Sequence, residues 1–220
     1  MNLVYINSAN GLSKAALETV TYAKKLGADV AVVTNGNAAA ELLATLGAYG
    51  ASTVLQDAGV DGQDPSQLVK LVAAAAAKVG ASTIIFSHDL IGKAVAPRLS
   101  VRLKAGLVAG AVALPEADGS TKVNVFSGKA FGFVKVNSAV RIISLLPNSI
   151  QPEQTGGNCS TEAFDSQAGS SAISVKATKK PDGAIPLPEA ELVVSAGRGL
   201  KGPENWGMVE DLAAALGAAT

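Results

Sequence analysis

Between Leu3 and Phe86 the chain alternates short β-branched runs with capped helical stretches, and that alternation leaves few folds open. Leu3 to Ile6, Val30 to Val33, Ser52 to Leu55 and Thr83 to Phe86 are the candidate strands. Ser13 is placed to cap a helix through Leu26, with Gly27 as its stop. Asn37 opens a second helix to Leu46, ended by Gly47, and Asp64-Pro65 opens a third that runs to Val79 before Gly80. Four strands separated by three helices need crossover connections. The expectation is therefore an α/β fold, a mainly parallel Rossmann-like sheet flanked by helices.

From Leu107 the punctuation changes. Val112 to Leu114, Lys122 to Phe126, Phe131 to Val136 and Val140 to Leu146 read as strands separated by turns without helices, which predicts an antiparallel β extension. Gln151 to Gly169 is polar and reads as a long connection, and Ala172 to Thr178 alternates like an edge strand. Lys179 to Pro188 is a proline-rich linker, its pre-proline residues biased towards extended backbone. The expected division is a first domain over 1–186 and a truncated β-α unit over 187–220.

Composition removes several function classes. Basic and acidic residues number 18 each, so no global field favours nucleic acid or an anionic membrane. No apolar run approaches the roughly 20 residues that span a bilayer; Leu71 to Ala77 ends at Lys78. The start, Met1-Asn-Leu-Val-Tyr-Ile6, goes directly into a strand without the features of a leader, which predicts a cytoplasmic protein. One cysteine and one histidine exclude an internal disulfide and a zinc cluster of the usual spacing. Cys159, in a polar stretch, reads as an ordinary exposed thiol.

Two segments carry candidate chemistry. Ser87, His88 and Asp89 include every residue type of a hydrolase triad, but consecutive residues do not converge as nucleophile, base and orienter. They read as the end of a parallel strand and the cap of the next helix, on the edge where such sheets usually bind ligands. The other segment follows the short run Leu192 to Val194. There Gly197, Gly199 and Gly202 have G-x-G-x-x-G spacing, Pro203 suits a first helical position, and a helical period runs from Glu204 to Leu216 before Gly217. Pattern alone leaves Arg198 open between a solvated side chain and an anion contact. Trp206 reads as helix packing, Lys201 and Glu204 as solvated charges.

The residues between the glycines narrow the choice. Val193-Val-Ser-Ala-Gly-Arg-Gly-Leu-Lys201, with Glu204-Asn205 and Asp211 to Gly217, resembles the opening of the FAD-binding domain in the electron transfer flavoprotein alpha-subunit family. That family has a glycine where this chain has Ala196, and Ser-Gly where it has Gly202-Pro203. Ser87 to Leu107 is similar to the family's strand end followed by a Pro-Arg helix, and Phe126-Ser-Gly-Lys-Ala130 to its Tyr-Ala-Gly-Asn/Lys-Ala pattern. The Ser-Arg, Gly-Gln-Thr-Gly and Gly-Ile-Ser-Gly segments that hold most of the FAD in the family have no counterpart here.

The resemblance implies an electron carrier rather than an enzyme, with no catalytic residue and no metal. It would take electrons from acyl-CoA or other dehydrogenases to a quinone-reducing respiratory acceptor through FAD, in a heterodimer with a beta subunit. It also implies that Arg198, flanked by Gly197 and Gly199, contacts the cofactor. FAD is expected in the complete protein and absent from this chain alone; nucleic-acid binding and membrane insertion are not expected. A free-standing adenine-nucleotide-binding α/β module and a partner protein without cofactor remain the alternative readings.

Overall fold

The period-two burial of the first strand already requires two covered faces. In β1 (Asn2–Asn7), Leu3 and Tyr5 enter one core while Val4 and Ile6 enter another. A computed structural model describes residues 1–9, 11–171, 173–177, 187 and 190–220. These fall into two units, Met1–Ser174 and Val175–Thr220.

In the first unit β1 is followed by α1 (Lys14–Lys25), β2 (Val30–Asn35), α2 (Ala40–Ala44), β3 (Ala51–Asp57), α3 (Pro65–Val79), β4 (Thr83–Ser87) and α4 (Leu90–Leu103). Then come β5 (Gly106–Ala111), β6 (Thr121–Val125), β7 (Ala130–Val134), β8 (Arg141–Leu145) and β9 (Ser160–Ala163). All nine strands form one sheet in the order β7-β6-β5-β8-β4-β1-β2-β3-β9. Every neighbouring pair is parallel except β5 with β6 and β6 with β7. One core packs α3 and α4 residues such as Leu71, Val72, Val95 and Leu99 on the sheet; the other packs Val20 and Tyr22 of α1 and Leu43 of α2 on its opposite face.

The expected caps hold at three helices. The Ser13 hydroxyl accepts from the Ala16 amide at 3.2 Å, Asp64 from Ser66 at 2.8 Å and Asp89 from Gly92 at 2.8 Å. The second helix differs from expectation. It starts at Ala40 with Ala39 as an uncapped N-cap, so Asn37 is not its cap, and it tightens into a 3₁₀ turn over Thr45–Tyr49 that ends at Gly50, φ +108°. Gly47 lies inside that turn rather than stopping a helix. A Cβ there would come within 2.5 Å of the Cys159 amide nitrogen, so the glycine permits the close pass of the chain at Asn158-Cys159.

Beyond α4 the expected extension is only partly antiparallel. β6 and β7 form an antiparallel ribbon, but β8, which covers the expected strand Val140 to Leu146, lies parallel between β4 and β5. Ile142, Ile143, Ser144 and Leu145 are buried in succession, as in a strand covered on both faces. The strand expected at Val112 to Leu114 sits earlier, at β5. Glycine and alanine give that segment little β propensity, and the register shift between Ala109 and Ala111, where Gly110 has φ +75°, hides it further. The expected connection from Gln151 to Gly169 contains β9, a polar edge strand held by backbone pairing to β3. Cys159, just before it, is half-buried, its thiol directed at the Leu43 carbonyl at 3.3 Å, and burial raises its pKa. It is therefore less ionised than the exposed thiol expected.

The expected edge strand Ala172 to Thr178 is not formed over residues 173–177; Ala172 and Thr178 lie outside the described residues. So does the expected linker apart from Leu187, together with the expected boundary after residue 186.

In the second unit the run at Leu192 to Val194 makes a single parallel bridge, Val193 with Ala219, rather than a sheet strand. The Val194 amide donates to Ala219 and the Ala219 amide to Leu192, at 2.9 and 3.0 Å. Single 3₁₀ turns occupy Arg198–Leu200 and Pro203–Asn205, and α5 (Gly207–Leu216) begins three residues after Glu204 and stops at Gly217 in left-handed geometry. Among the described residues no helix is long and apolar enough to cross a membrane.

Candidate functional site

Two strand-to-helix turns lie where ligands are expected, and their surroundings differ. The first follows β4. Because β2 and β3 lie on one side of β1 while β4 lies on the other, the crevice between the β1 and β4 ends is the topological switch point of the sheet. Its cavity, lined by Tyr5, Asn7, Ser13, Ser87, Asp89 and Gly92 among others, has a volume of about 50 Å³. That admits water but not a nucleotide. The protein itself takes up its chemistry: Tyr5 donates to Asn35 at 2.8 Å, Asp89 caps α4, and a Cβ on Gly92 would collide with the Ser87 carbonyl.

Ser87, His88 and Asp89 do not converge. His88 Nδ1 pairs instead with the Ser144 hydroxyl of β8 at 2.9 Å, and that hydroxyl also accepts from the Gly110 amide at 3.2 Å. Burial lowers the His88 pKa, Lys93 lowers it further, and Asp89 opposes both. Ser144 is itself buried, and the pair ties the β5 bulge to β8. Fifty-six residues separate the two side chains, and no local pattern announces them.

The second turn, in the C-terminal unit, is open. Ala196, Gly197, Arg198, Leu200, Lys201 and Trp206 are among the residues around a shallow concavity of about 290 Å³. Gly199 belongs to the same turn but does not line it. Arg198 is exposed, and Trp206, expected as packing, is half-buried on the rim. Lys201, expected as a solvated charge, also faces the concavity, although no spacing rule singles it out.

Internal bonds consume part of the turn. The Leu200 amide donates to Gly197, Lys201 to Arg198 and Gly202 to Leu200, while Asn205 pins the Leu200 carbonyl at 2.8 Å. The Arg198 and Gly199 amides meet no acceptor among the described residues. Neither Gly197 nor Gly199 has positive φ, and an added Cβ at either would meet nothing within 4 Å among the described residues. No fold requirement within the described structure accounts for these two glycines. Two amides without an acceptor among the described residues and an exposed guanidinium beside bare backbone have the chemistry of a small anion cradle.

Residues 2–176 match the family model described as the electron transfer flavoprotein domain, and residues 186–220 the one described as the electron transfer flavoprotein FAD-binding domain. The chain belongs to the electron transfer flavoprotein family. It is 28% identical over 216 residues to a Caenorhabditis elegans protein named probable electron transfer flavoprotein subunit alpha, mitochondrial, covering 94% of this chain and 64% of that one. It is similar to electron transfer flavoprotein subunit alpha of Bacillus subtilis, 32% identical with 62% and 44% covered, and to that of Mycobacterium leprae, 31% identical with 99% and 70% covered. The chain thus spans less than two thirds of the worm and Bacillus relatives.

The cradle fits part of FAD. Arg198, Lys201 and the free amides suit one phosphate or the electron-rich flavin edge, while a concavity of about 290 Å³ holds a fraction of a dinucleotide.

Proposed function

We propose that this chain supplies the first domain, residues 1–186, and the opening of the FAD-binding domain, residues 187–220, of an electron transfer flavoprotein alpha subunit. The complete protein carries electrons from acyl-CoA or other dehydrogenases to a quinone-reducing respiratory acceptor, paired with a beta subunit. It is a carrier, with no substrate of its own to transform. When bound, FAD supplies the redox chemistry; this chain's residues bind and orient it. Arg198 neutralises a phosphate or polarises the flavin edge, Gly197 and Gly199 let backbone approach, and the Arg198 and Gly199 amides add donors. The observation carrying the reading is the open turn at Arg198, where among the described residues the Arg198 and Gly199 amides have no acceptor and nothing stands where a Cβ on Gly197 or Gly199 would go.

Arg198→Ala in the complete, FAD-loaded heterodimer tests it. A charge-assisted hydrogen bond is worth roughly 1.5–3 kcal/mol, so FAD affinity should fall by about one to two decades. The melting of the first unit should not change. Unaltered affinity and flavin potential would return Arg198 to a solvated turn. The isolated chain should purify colourless, since one turn offers few of the contacts a dinucleotide needs.

A further inference from the structure

We propose that the cavity between the ends of β1 and β4 is a hydration site, in which a water held by the Ser87 hydroxyl joins the starts of α1 and α4. In the Ser87-His88-Asp89 run, His88 pairs with Ser144 and Asp89 caps α4. Ser87 is the member whose polar group has no such task. It ends β4, and its Oγ is buried with no hydrogen-bond partner among the described residues. A buried hydroxyl without a partner costs free energy, and the great majority of such groups in folded proteins are satisfied, by ordered water where protein does not reach. Ser87 lines the cavity of about 50 Å³, which has room for at least one water.

That size suits a water or a monatomic ion, and charge decides between them. Ser13 and Asp89, the N-caps of α1 and α4, line the same cavity, so two helix starts open onto it. Their positive dipole ends disfavour a cation. The Asp89 carboxylate disfavours an anion. A water answers both, because it accepts from one group and donates to another. Its partners follow from the bonds already made. Asp89 Oδ1 accepts from the Gly92 amide, which leaves its second oxygen as the acceptor for the water. The Ser13 oxygen accepts from the Ala16 amide, and its proton is still to be given. With the Ser87 hydroxyl, which can donate or accept, the water has three partners, the usual number for one that is buried. The switch point of this sheet, the edge where related topologies bind ligands, is thereby occupied by solvent that belongs to the fold.

A high-resolution crystal structure of this chain tests the proposal directly. It should show an ordered water within hydrogen-bond distance of Ser87 Oγ and of Ser13 or Asp89. Absence of density there, or density that anomalous scattering assigns to an ion, would overturn it. Stability supplies a second test, in which the sign of the effect differs between the two cases. If Ser87 anchors a water, Ser87→Ala breaks that bond and the melting temperature should fall by about 2–4 °C. If the hydroxyl is dry, the same change removes an unsatisfied polar atom, and melting that rises or stays level would overturn the proposal. The difference between Ser87→Ala and the unmodified chain should also be the same in sodium, potassium and ammonium chloride and in sodium acetate at one ionic strength. A difference that depends on which ion is present would replace the water with that ion.

Discussion

The turn after β4 and the turn at Arg198 both join an extended segment to a helix through glycine, and they use the glycine for opposite purposes. At the first, Gly92 is required by the protein's own packing, because a Cβ would strike the Ser87 carbonyl, and only about 50 Å³ is left over. At the second, among the described residues, Gly197 and Gly199 face open space beside two amides without an acceptor and an exposed arginine. A glycine explained by its neighbours says little about ligands. One without neighbours points to something that approaches from outside.

Phe86 gives the largest test of this contrast, since it is fully buried and lines the first cavity. Phe86→Ala should cost about 3–5 kcal/mol in denaturant unfolding, the usual loss for a buried aromatic. A loss below 1 kcal/mol would mean that the crevice is not the filled core described above. Gly92→Ala should follow with about 1–3 kcal/mol, because the backbone carbonyl it meets has little room to yield. Melting within a degree of the unmodified protein would break the comparison on its structural side.

The His88–Ser144 pair sets a smaller, pH-dependent effect. Its folded pKa lies below the usual value of about 6.5, so between the two values the unfolded chain binds a proton that the folded one refuses. Its contribution to stability should be complete above about pH 6.5 and decline as pH falls through the folded pKa. The melting temperature should therefore drop between pH 7.5 and 5.5, and His88→Asn should remove that slope. An unchanged slope in the variant would assign it to other groups.

The smallest effect belongs to the second turn. Gly197→Ala and Gly199→Ala should shift the stability of this chain by less than about 0.5 kcal/mol, because among the described residues nothing stands where the methyl would go. In the complete protein the same substitutions should weaken FAD binding. Destabilisation of the chain alone comparable with Gly92→Ala would show that these glycines are structural after all.

How much could be read without coordinates depended on how local each signal was. Ser13, Asp64 and Asp89 announce helix starts because a cap acts within one turn, and Val30 to Val33 and Thr83 to Phe86 announce strands by unbroken apolar character. Arg198 with its glycines was legible as a candidate by spacing and resemblance. Lys201 on the same concavity was not, because its place depends on how the 3₁₀ turn closes. Asn37 misled, since a cap residue type without a helix in register beside it does nothing.

The sequence by itself determined that the first unit is a mainly parallel α/β sheet covered on both faces, because caps and residue periodicity act over a few positions. Only the tertiary structure decided where three strands went. β5 is poor in β propensity, β9 is polar, and β8 looks like one more strand of a meander; each owes its place to backbone hydrogen bonds with a strand distant in sequence. Backbone groups are alike in every residue. Which edge they find depends on what the rest of the chain has left exposed, and no local run of side chains encodes that.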